Sequence, residues 1–374
     1  MLSLIGSTGS IGKQTLQVLD YLGQKPVALA SGRNSGELEQ QCRKYMPKLA
    51  ALADEQAARD LRVRLADTPV MVAGGEDAVC EAAAHPEAET TLIAAVGLAG
   101  LRPALAAIGS VRRLALANKE SMVSAGKLIM ERARGSGTAL IPVDSELSAV
   151  FQCREEKKET AMRHITLTAS GGPFYGRSLE SMRGVTVEEA LRHPTWRMGK
   201  KITIDSATLL NKGYEVFEAM HFFDMPASEI SVLVHRDSLI HAAVHFADDA
   251  SIYHLAVPDM RLPIQYALTY PDRRPSPVKP LKLLEKPIVF AQPDFEAFPC
   301  LSLAMDAAKR GGFAGAVLAT AGEAAVERFL AGEIPFTGIA ESLEAALEFV
   351  PNGEPASIDD VFAAVSEARA VLHI

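Results

Sequence analysis

The stretch LSLIGSTGSIG, from Leu2 to Gly12, decides the fold of the first part of the chain. Four apolar residues predict a buried strand, and glycines spaced G-x-x-G-x-x-G predict a tight turn into a helix. Such a turn lets the backbone approach a pyrophosphate, and the helix N-terminus offers N–H groups to it. The spacing differs from the usual G-x-G-x-x-G, so a plain glycine-rich turn is the alternative. We favour a dinucleotide site because the strand at residue 2 opens a strand–helix–strand pattern.

Strand and helix patterns alternate behind this turn over the first 150 residues. Apolar runs such as PVALAS (26–31), TLIAAV (91–96), RLALAN (113–118) and ALIPVDS (139–145) are separated by alanine-rich helical patterns. This alternation is typical of a parallel sheet with helices on both faces. The sequence therefore predicts an α/β fold that begins with a Rossmann-like, doubly wound sheet.

The pattern changes from about residue 146 onward. The runs HITLTASG (164–171), ISVLVH (230–235) and 238–257 alternate in the manner of longer antiparallel strands, with helices between them. Seven prolines between Pro271 and Pro299 exclude a regular helix or central strand there. Helical patterns follow to the end of the sequence. We therefore expect a central α+β catalytic domain, an extended linker and a C-terminal helical bundle.

Composition restricts the class of partner. The 374 residues carry a formal net charge of −8, which argues against a nucleic-acid binder. Four cysteines are scattered without paired spacing, so we expect reduced thiols and neither a zinc site nor a disulfide framework. The sequence enters its first strand without a basic start or a long apolar run, which favours a cytoplasmic protein that does not enter a membrane.

The end of the second predicted strand bears on the choice of nucleotide. An acid at this position often binds the ribose of NAD, whereas an arginine accommodates the extra phosphate of NADP. The strand ends SGRNSGE, which places Gly32, Arg33 and Asn34 beside the expected adenosine ribose, and no acid occurs before Glu37. An exposed loop arginine is the alternative. We predict NADP.

Carboxylates at the end of a later strand suggest a metal site. In PVDSELSA, Asp144 and Glu146 lie two residues apart, and on an extended backbone they would point to the same side. Like charges repel unless a cation lies between them, so the pair predicts Mg²⁺ or Mn²⁺. A solvated surface pair is the alternative, but the carboxyl end of a strand is where ligands bind in such sheets. Glu215 could supply a third ligand.

Three further segments carry polar residues in positions suited to a small anion. ALANKES (115–121) lies at the end of another strand, and LTASGGPF (167–174) is a glycine-rich loop. Residues 193–219 contain a His-Pro, several hydroxyls, Asn-Lys and an acid within a short stretch. Each could be an ordinary turn. The irregular sequence around Trp196, the one tryptophan of the chain, predicts a loop that closes over substrate, against the alternative of a core tryptophan.

The motifs GSTGSIG, ANKES, PVDSE, TASGGPF, HPTWRMGKKITIDSATLLNKGYEVFEA and PDMRLPIQYAL occur together and in this order. The chain closely resembles the 1-deoxy-D-xylulose 5-phosphate reductoisomerase family along nearly its whole length. The resemblance implies an NADPH- and metal-dependent conversion of 1-deoxy-D-xylulose 5-phosphate to 2-C-methyl-D-erythritol 4-phosphate in the non-mevalonate isoprenoid pathway. It also implies a homodimer formed through the central domain. The domains would be residues 1–144 for NADPH, 145–268 for catalysis, dimerisation and the lid, 269–299 for the linker and 300–374 for the bundle.

The resemblance also implies roles for individual residues. Contacts to NADPH fall on Thr8, Gly9, Ser10, Ile11, Gly32, Arg33, Asn34, Asn118, Glu120 and Gly199. Metal ligands are Asp144, Glu146 and Glu215. The sugar phosphate would contact Ser145, Glu146, Ser170, His193, Ser206, Asn211, Lys212 and Glu215, with Lys119, Glu146, His193 and Trp196 as catalytic residues.

Two other functions stay open at this point. A semialdehyde-dehydrogenase type of NADP enzyme would need a reactive cysteine, and Cys153 lies on a helical pattern without an activating neighbour. A non-catalytic nucleotide-binding sensor would have no use for carboxylates that converge with a phosphate-binding cluster.

Overall fold

The computed structural model describes residues 1–154, 162–196, 198–282 and 287–372. The chain divides into two compact units. The first contains Met1–Ser121, Ile129–Asp144 and Asp259–Lys279, and the second contains Met122–Leu128, Ser145–Pro258 and Pro280–Ile374. No helix in the described part of the chain is both long and apolar enough to cross a bilayer.

The first unit is built on a seven-stranded sheet in which every pairing is parallel. The strand order is β4-β3-β2-β1-β5-β6-β7. In chain order the elements are β1 (Leu2–Ile5), α1 (Ser10–Leu22), β2 (Pro26–Ser31), α2 (Ser35–Tyr45), β3 (Leu49–Leu52), α3 (Glu55–Arg64), β4 (Met71–Gly74), α4 (Glu76–Ala83), β5 (Thr90–Ile93), α5 (Leu101–Ala107), β6 (Arg113–Leu116), α6 (Lys119–Ser136) and β7 (Ala139–Pro142).

The central strands of this sheet are covered on both faces. Leu4, Leu29, Ala51 and Leu92 are completely buried, which explains why these strands are continuous apolar runs without alternation. The chain winds outward in one direction from β1 to β4 and in the other from β5 to β7. A crevice at the carboxyl ends of the strands is expected where the direction reverses, between β1 and β5.

The second unit contains a four-stranded sheet in the order β11-β10-β8-β9. Strand β10 is antiparallel to both β8 and β11, as predicted, but β8 and β9 are parallel. The antiparallel prediction is wrong for this pair because several helices lie between the two strands, and such a crossover allows parallel pairing. The elements are α7 (Ser145–Cys153), β8 (Met162–Ala169), α8 (Val187–Ala190), α9 (Lys200–Ala207), α10 (Leu210–Phe223), β9 (Ile230–Val234), β10 (Ile240–Phe246) and β11 (Ser251–Leu255).

Helix α11 (Arg261–Thr269) belongs to the first unit and precedes the proline-rich segment. In its described parts that segment forms neither helix nor strand, apart from a bridge between Ala291 and Val234. Four helices follow in the second unit: α12 (Pro299–Arg310), α13 (Ala314–Leu330), α14 (Gly338–Glu348) and α15 (Ile358–Leu372). Helix α13 packs against α12, α14 and α15, and its small residues are buried.

Candidate active site

The turn after β1 is shaped by its glycines. Gly6 has a φ of 84°, and a Cβ there would collide with the backbone that follows β5. Helix α1 starts at Ser10 after Gly9, which supplies no side-chain cap, so the N–H groups of the first turn can bind an anion. Thr8 Oγ1 lies 2.6 Å from Ser31 Oγ, which ties the turn to the end of β2. The predicted cofactor residues Thr8, Gly9, Ser10 and Ile11 all lie on this turn or at the start of α1.

The end of β2 presents one exposed cation beside open space. A Cβ at Gly32 would meet no atom within 4 Å, and Arg33 is exposed. Asn34 caps α2, because its Oδ1 accepts the N–H of Glu37 at 3.2 Å. The carboxylate of Glu37 forms an ion pair with Lys13 at 3.0 Å. The nearest acid is therefore already neutralised, which leaves Arg33 to meet a ligand at this strand end.

The ends of β6 and β7 bring two predicted residues into contact. These strands are parallel neighbours, so the residues that follow them lie at the same edge of the sheet. Lys119 Nζ lies 2.5 Å from Asp144 Oδ2. Both side chains are largely buried, with 7% and 14% exposure. The prediction that these strand ends bring polar residues together is confirmed for this pair, and their roles in a site stay predictions.

Asn118 holds the loop after β5 and also binds Glu120. The Nδ2 group of Asn118 donates to the carbonyl oxygens of Ala95 (2.9 Å) and Gly97 (2.8 Å) and to Glu120 Oε2 (3.1 Å). Its Oδ1 accepts the N–H of Ser121 at 3.2 Å, which caps α6. Both residues are buried, so they shape the edge of the candidate nucleotide site. Their direct contact with a cofactor stays a prediction.

Three carboxylates converge where β7 leads into α7. One oxygen each of Asp144, Glu146 and Glu215 lies within 4.8 Å of the others. The predicted extended backbone through Asp144 and Glu146 is wrong, because α7 begins at Ser145 and Glu146 lies in its first turn. Acidic side chains are favourable at this end of a helix, and Asp144 is joined directly to Ser145. Local backbone geometry therefore keeps the pair together, and α10 brings Glu215.

Lys212 joins two of these carboxylates. Its Nζ donates to Glu146 Oε1 at 2.7 Å and to Glu215 Oε2 at 2.5 Å, and Asn211 Nδ2 donates to Glu215 Oε1 at 2.6 Å. Burial acts to raise the pKa of Glu146, but the charges of Lys212 and His241 outweigh it, so the pKa lies below its usual range. Burial acts to lower the pKa of Lys212, and the two carboxylates raise it overall. Glu146 and Lys212 are therefore both charged at neutral pH.

The donor set of this acid cluster fits a hard divalent cation. All of its ligand atoms are carboxylate oxygens, and the hydroxyl of Ser145 donates to Glu146. Three carboxylates and the ammonium groups of Lys119 and Lys212 leave one negative charge. Mg²⁺ and Mn²⁺ prefer oxygen ligands of this kind.

A second group of polar residues, the His193 cluster, consists of His193, Ser170 and Ser206. Nδ1 of His193 accepts the backbone N–H groups of Thr195 (3.2 Å) and Trp196 (2.9 Å). Its Nε2 lies 3.0 Å from Ser170 Oγ and 3.2 Å from Ser206 Oγ. Because Nδ1 accepts, a neutral ring carries its hydrogen on Nε2 and donates it to a serine hydroxyl. The hydrogen atoms of the serines then remain available for a phosphate.

The His193 ring is held neutral. Burial, together with the charge of Arg236, lowers its pKa to about 4. Arg236 Nη1 donates to the carbonyl oxygens of Ser170 (2.6 Å) and Gly172 (2.8 Å) and thereby fixes the glycine-rich loop. A neutral imidazole can order two hydroxyls without placing its own charge on a ligand. The cluster is therefore a set of oriented donors suited to an anion.

The segment around Trp196 has no helix or strand in residues 192–196 and 198–199, as predicted. Trp196 is half-buried, and its ring centroid lies 6.2 Å from that of His241. Gly199 ends the segment and precedes α9. His241 is a residue that the sequence reasoning missed. Its segment alternates like a strand, which gave no reason to assign it to the site, and its position follows from an irregularity of β10 at this residue.

The predicted residues fall into separate groups. Those on the turn after β1, at the end of β2 and after β6 belong to the first unit together with Asp144. The acid cluster, the His193 cluster, Trp196 and Gly199 belong to the second unit, apart from Asp144. Within that unit, α9 carries Ser206 and α10 carries Asn211, Lys212 and Glu215. The short connection between these helices places the two clusters along one stretch of chain.

Comparison with known proteins identifies the family. Residues 2–126 match the family model described as 1-deoxy-D-xylulose 5-phosphate reductoisomerase. Residues 140–223 match its C-terminal domain, and residues 255–371 match the DXP reductoisomerase C-terminal domain. The reductoisomerase of Caldanaerobacter subterraneus subsp. tengcongensis is 45% identical over 98% of this chain and 97% of its own length. The chain belongs to the 1-deoxy-D-xylulose 5-phosphate reductoisomerase family. The reductoisomerase of Symbiobacterium thermophilum is 48% identical over 90% of this chain and 89% of its own length.

Solved structures of reductoisomerases share the fold. The Zymomonas mobilis enzyme, in complex with NADPH, has a TM-score of 0.92 and 41% identity over 99% of this chain and 97% of that chain. A second reductoisomerase, in complex with NADPH, fosmidomycin and magnesium, has a TM-score of 0.95 and 34% identity, and the match covers 100% of this chain and 97% of that chain. The predicted family, α/β fold class and enzyme class, an NADP-dependent oxidoreductase, are therefore confirmed.

Proposed function

We propose that the acid cluster and the His193 cluster form the active site for the family's reaction. This reaction is the NADPH- and divalent-metal-dependent isomerisation and reduction of 1-deoxy-D-xylulose 5-phosphate to 2-C-methyl-D-erythritol 4-phosphate, in the non-mevalonate isoprenoid pathway. The observation that carries the proposal is that α10 contributes Asn211, Lys212 and Glu215, beside Glu146 and directly after the helix that carries Ser206. Relatives crystallised with NADPH, fosmidomycin and magnesium support it.

Asp144, Glu146 and Glu215 would hold the metal, and the turn after β1 with Arg33 would hold NADPH. The metal supplies a Lewis acid for the substrate's oxygen atoms, and NADPH supplies the hydride. Lys212 keeps Glu146 ionised and ready to bind a cation, and it also pairs with Glu215. Lys119 pairs with Asp144. The carboxylates are thus oriented before the substrate arrives.

Substrate phosphate would bind at the His193 cluster. The hydroxyls of Ser170 and Ser206 are oriented by the neutral His193 ring and can donate to phosphate oxygens. Asn211 and Lys212 extend the donor set toward the acid cluster. The sugar chain would then span from the hydroxyls to the metal ligands, with Ser145 beside Glu146. Oriented donors of this kind position a substrate for reaction and exclude water.

One assay tests this function. NADPH oxidation should depend on both 1-deoxy-D-xylulose 5-phosphate and on Mg²⁺ or Mn²⁺, and should stop when the metal is chelated. Fosmidomycin, which is bound in a solved relative, should inhibit it. Absence of NADPH oxidation under these conditions would contradict the proposal, as would activity that persists after complete metal removal.

The nucleotide specificity gives a first prediction. We expect a preference for NADPH over NADH of at least about tenfold, because Arg33 is the exposed cation at the end of β2 and Glu37 is paired with Lys13. Arg33→Asp should narrow or invert the ratio of kcat/KM for the two nucleotides. Arg59→Asp, at an exposed position on α3, is the matched control and should leave the ratio unchanged. Equal use of both nucleotides by the unaltered protein would contradict the assignment.

The lid gives a second prediction. Trp196 is the only tryptophan, so its fluorescence reports on the loop alone. We expect the emission maximum to shift or the intensity to fall when fosmidomycin binds, because a ligand at the His193 cluster should order the loop. Trp196→Ala should weaken fosmidomycin binding with little loss of stability, whereas loss of a core tryptophan would cost about 3–5 kcal/mol. An unchanged emission together with a strongly destabilised alanine variant would identify Trp196 as a core residue.

We also propose that the protein is a cytoplasmic homodimer. Strand β11 lies at the edge of the four-stranded sheet and exposes Ile252, Tyr253 and Leu255, each by more than 40%. An exposed apolar edge of this kind is suited to burial by a second subunit. Sedimentation equilibrium should therefore give about twice the chain mass of 40.0 kDa.

A further inference from the structure

A bulge in β10 sets the direction of the His241 side chain. Ile240 pairs with Leu255 of β11 and Ala242 pairs with His254, so the register shifts at His241. An extra residue of this kind redirects its side chain and is common beside functional sites. Thr168 Oγ1, on the neighbouring strand β8, lies 2.5 Å from the carbonyl oxygen of Ile240 and 3.0 Å from that of His241. The bulge is therefore held by a buried hydroxyl.

The redirected ring of His241 lies between two other rings. Its centroid is 6.2 Å from that of Trp196 and 6.0 Å from that of His254, and both pairs meet at 61°. These separations are within the range at which edge-to-face aromatic pairs are favourable. His241 is buried and His254 is half-buried on β11. The ring of His241 thus contacts the lid on one side and the edge strand on the other.

The row of contacts continues from Trp196 to the proposed phosphate site. The backbone N–H of Trp196 donates to Nδ1 of His193, whose Nε2 meets the hydroxyls of Ser170 and Ser206. A displacement of Trp196 that moves its backbone N–H therefore changes the environment of the His193 ring, which meets both hydroxyls. His254 touches neither hydroxyl and is not among the residues assigned to the site above.

We infer that His254 is a positioning residue that, through the ring of His241, holds Trp196 and the loop that begins at His193. It acts by ring packing and contacts no substrate. The role in binding rests on the proposed function, whereas the ring contacts do not. A measurement on the protein without substrate can therefore separate the two.

The experiment compares His254→Ala with His254→Phe in the full-length protein. In the absence of ligand, we expect the emission of Trp196 in the alanine variant to shift to longer wavelength. The KM for 1-deoxy-D-xylulose 5-phosphate should rise about fivefold, with kcat changed by less than about twofold. The loss of one aromatic pair from an ordered loop has an effect of this size. His254→Phe retains a flat ring and should restore both the emission and the KM. Thermal unfolding of each variant checks that it is folded.

His245→Gln is the matched control. His245 lies on the same strand as His241, and its ring nitrogens meet Thr166 and Ser251. Its replacement should leave Trp196 emission unchanged. The inference is overturned if His254→Ala leaves the emission unchanged, if the phenylalanine variant is as impaired as the alanine variant, or if His245→Gln gives the same shift. An emission change without any reductoisomerase activity in the unaltered protein would instead contradict the proposed function alone.

Discussion

Glu215→Gln should lower kcat by about 100-fold or more at saturating Mg²⁺. Glu215 is fully buried, contributes one oxygen to the acid cluster, and binds both Lys212 and Asn211. The amide keeps the size of the side chain but removes its charge, so the cluster loses one anionic ligand. Loss of a ligand weakens both the binding of a cation and its Lewis acidity. The apparent affinity for Mg²⁺, measured by titration of the activity, should fall together with kcat.

Glu218→Gln is the matched control for this change. Glu218 is equally buried and lies one turn further along α10, outside the acid cluster. Its replacement tests whether the loss of any buried carboxylate on this helix lowers activity. We expect the apparent affinity for Mg²⁺ to stay unchanged in Glu218→Gln. Near-normal activity of Glu215→Gln at low Mg²⁺ would show that Glu215 is not a metal ligand.

The positions of residues that directly follow neighbouring parallel strands could be predicted from the sequence. Lys119 and Asp144 follow two apolar runs, and parallel strands that are neighbours place their ends together whatever the details of packing. The turn at Gly6 was predictable for a similar reason, because few residues other than glycine adopt a φ of 84° without strain. A rule of sheet topology is sufficient to predict the first placement, and the local sequence pattern is sufficient to predict the turn.

Other features depend on contacts that a linear pattern does not contain. The direction of β9 relative to β8 follows from the path of the helices between them. His241 reaches Trp196 because of a bulge that Thr168 stabilises from a different strand. The start of α7 at Ser145 replaces the extended backbone predicted through Glu146. Asp144 and Glu146 do lie together, but not by the extended backbone that was predicted, and their binding of a metal stays a prediction.

Lys212→Met should strongly destabilise the protein. The side chain of Lys212 is 4% exposed, and its Nζ lies 2.7 Å from Glu146 Oε1 and 2.5 Å from Glu215 Oε2. Methionine fills a similar volume, but it leaves two carboxylates without the cation that they share. Removal of one partner from a buried ion pair costs about 3–5 kcal/mol. We therefore expect the free energy of unfolding at pH 7, measured with urea, to fall by about that amount.

The pH dependence of this loss follows from the sign of the pKa shift. In the unaltered protein the pKa of Glu146 is lower in the folded state than its usual value of about 4.3, so its ionisation stabilises the fold above that pH. This contribution is lost as the pH falls through the folded-state pKa. Without Lys212, the strongest influence that opposes burial is lost, so the pKa of Glu146 rises above its value in the unaltered protein. Protonation of Glu146 therefore stabilises the variant relative to the unaltered protein as the pH falls. The difference in stability between the two proteins should therefore shrink from pH 7 toward pH 4.

A divalent cation should partly replace the missing charge. Mg²⁺ binds the folded protein through the same carboxylates, and a ligand that binds only the folded state raises its stability. The increase in melting temperature on adding Mg²⁺ should therefore be larger for Lys212→Met than for the unaltered protein. Lys201→Met is the matched control, because Lys201 pairs at 2.7 Å with Asp205, which lies outside the acid cluster. Its Mg²⁺ response should equal that of the unaltered protein. If Mg²⁺ stabilised both variants equally, the stabilisation would not arise at the acid cluster, and the metal assignment of Glu146 and Glu215 would be wrong.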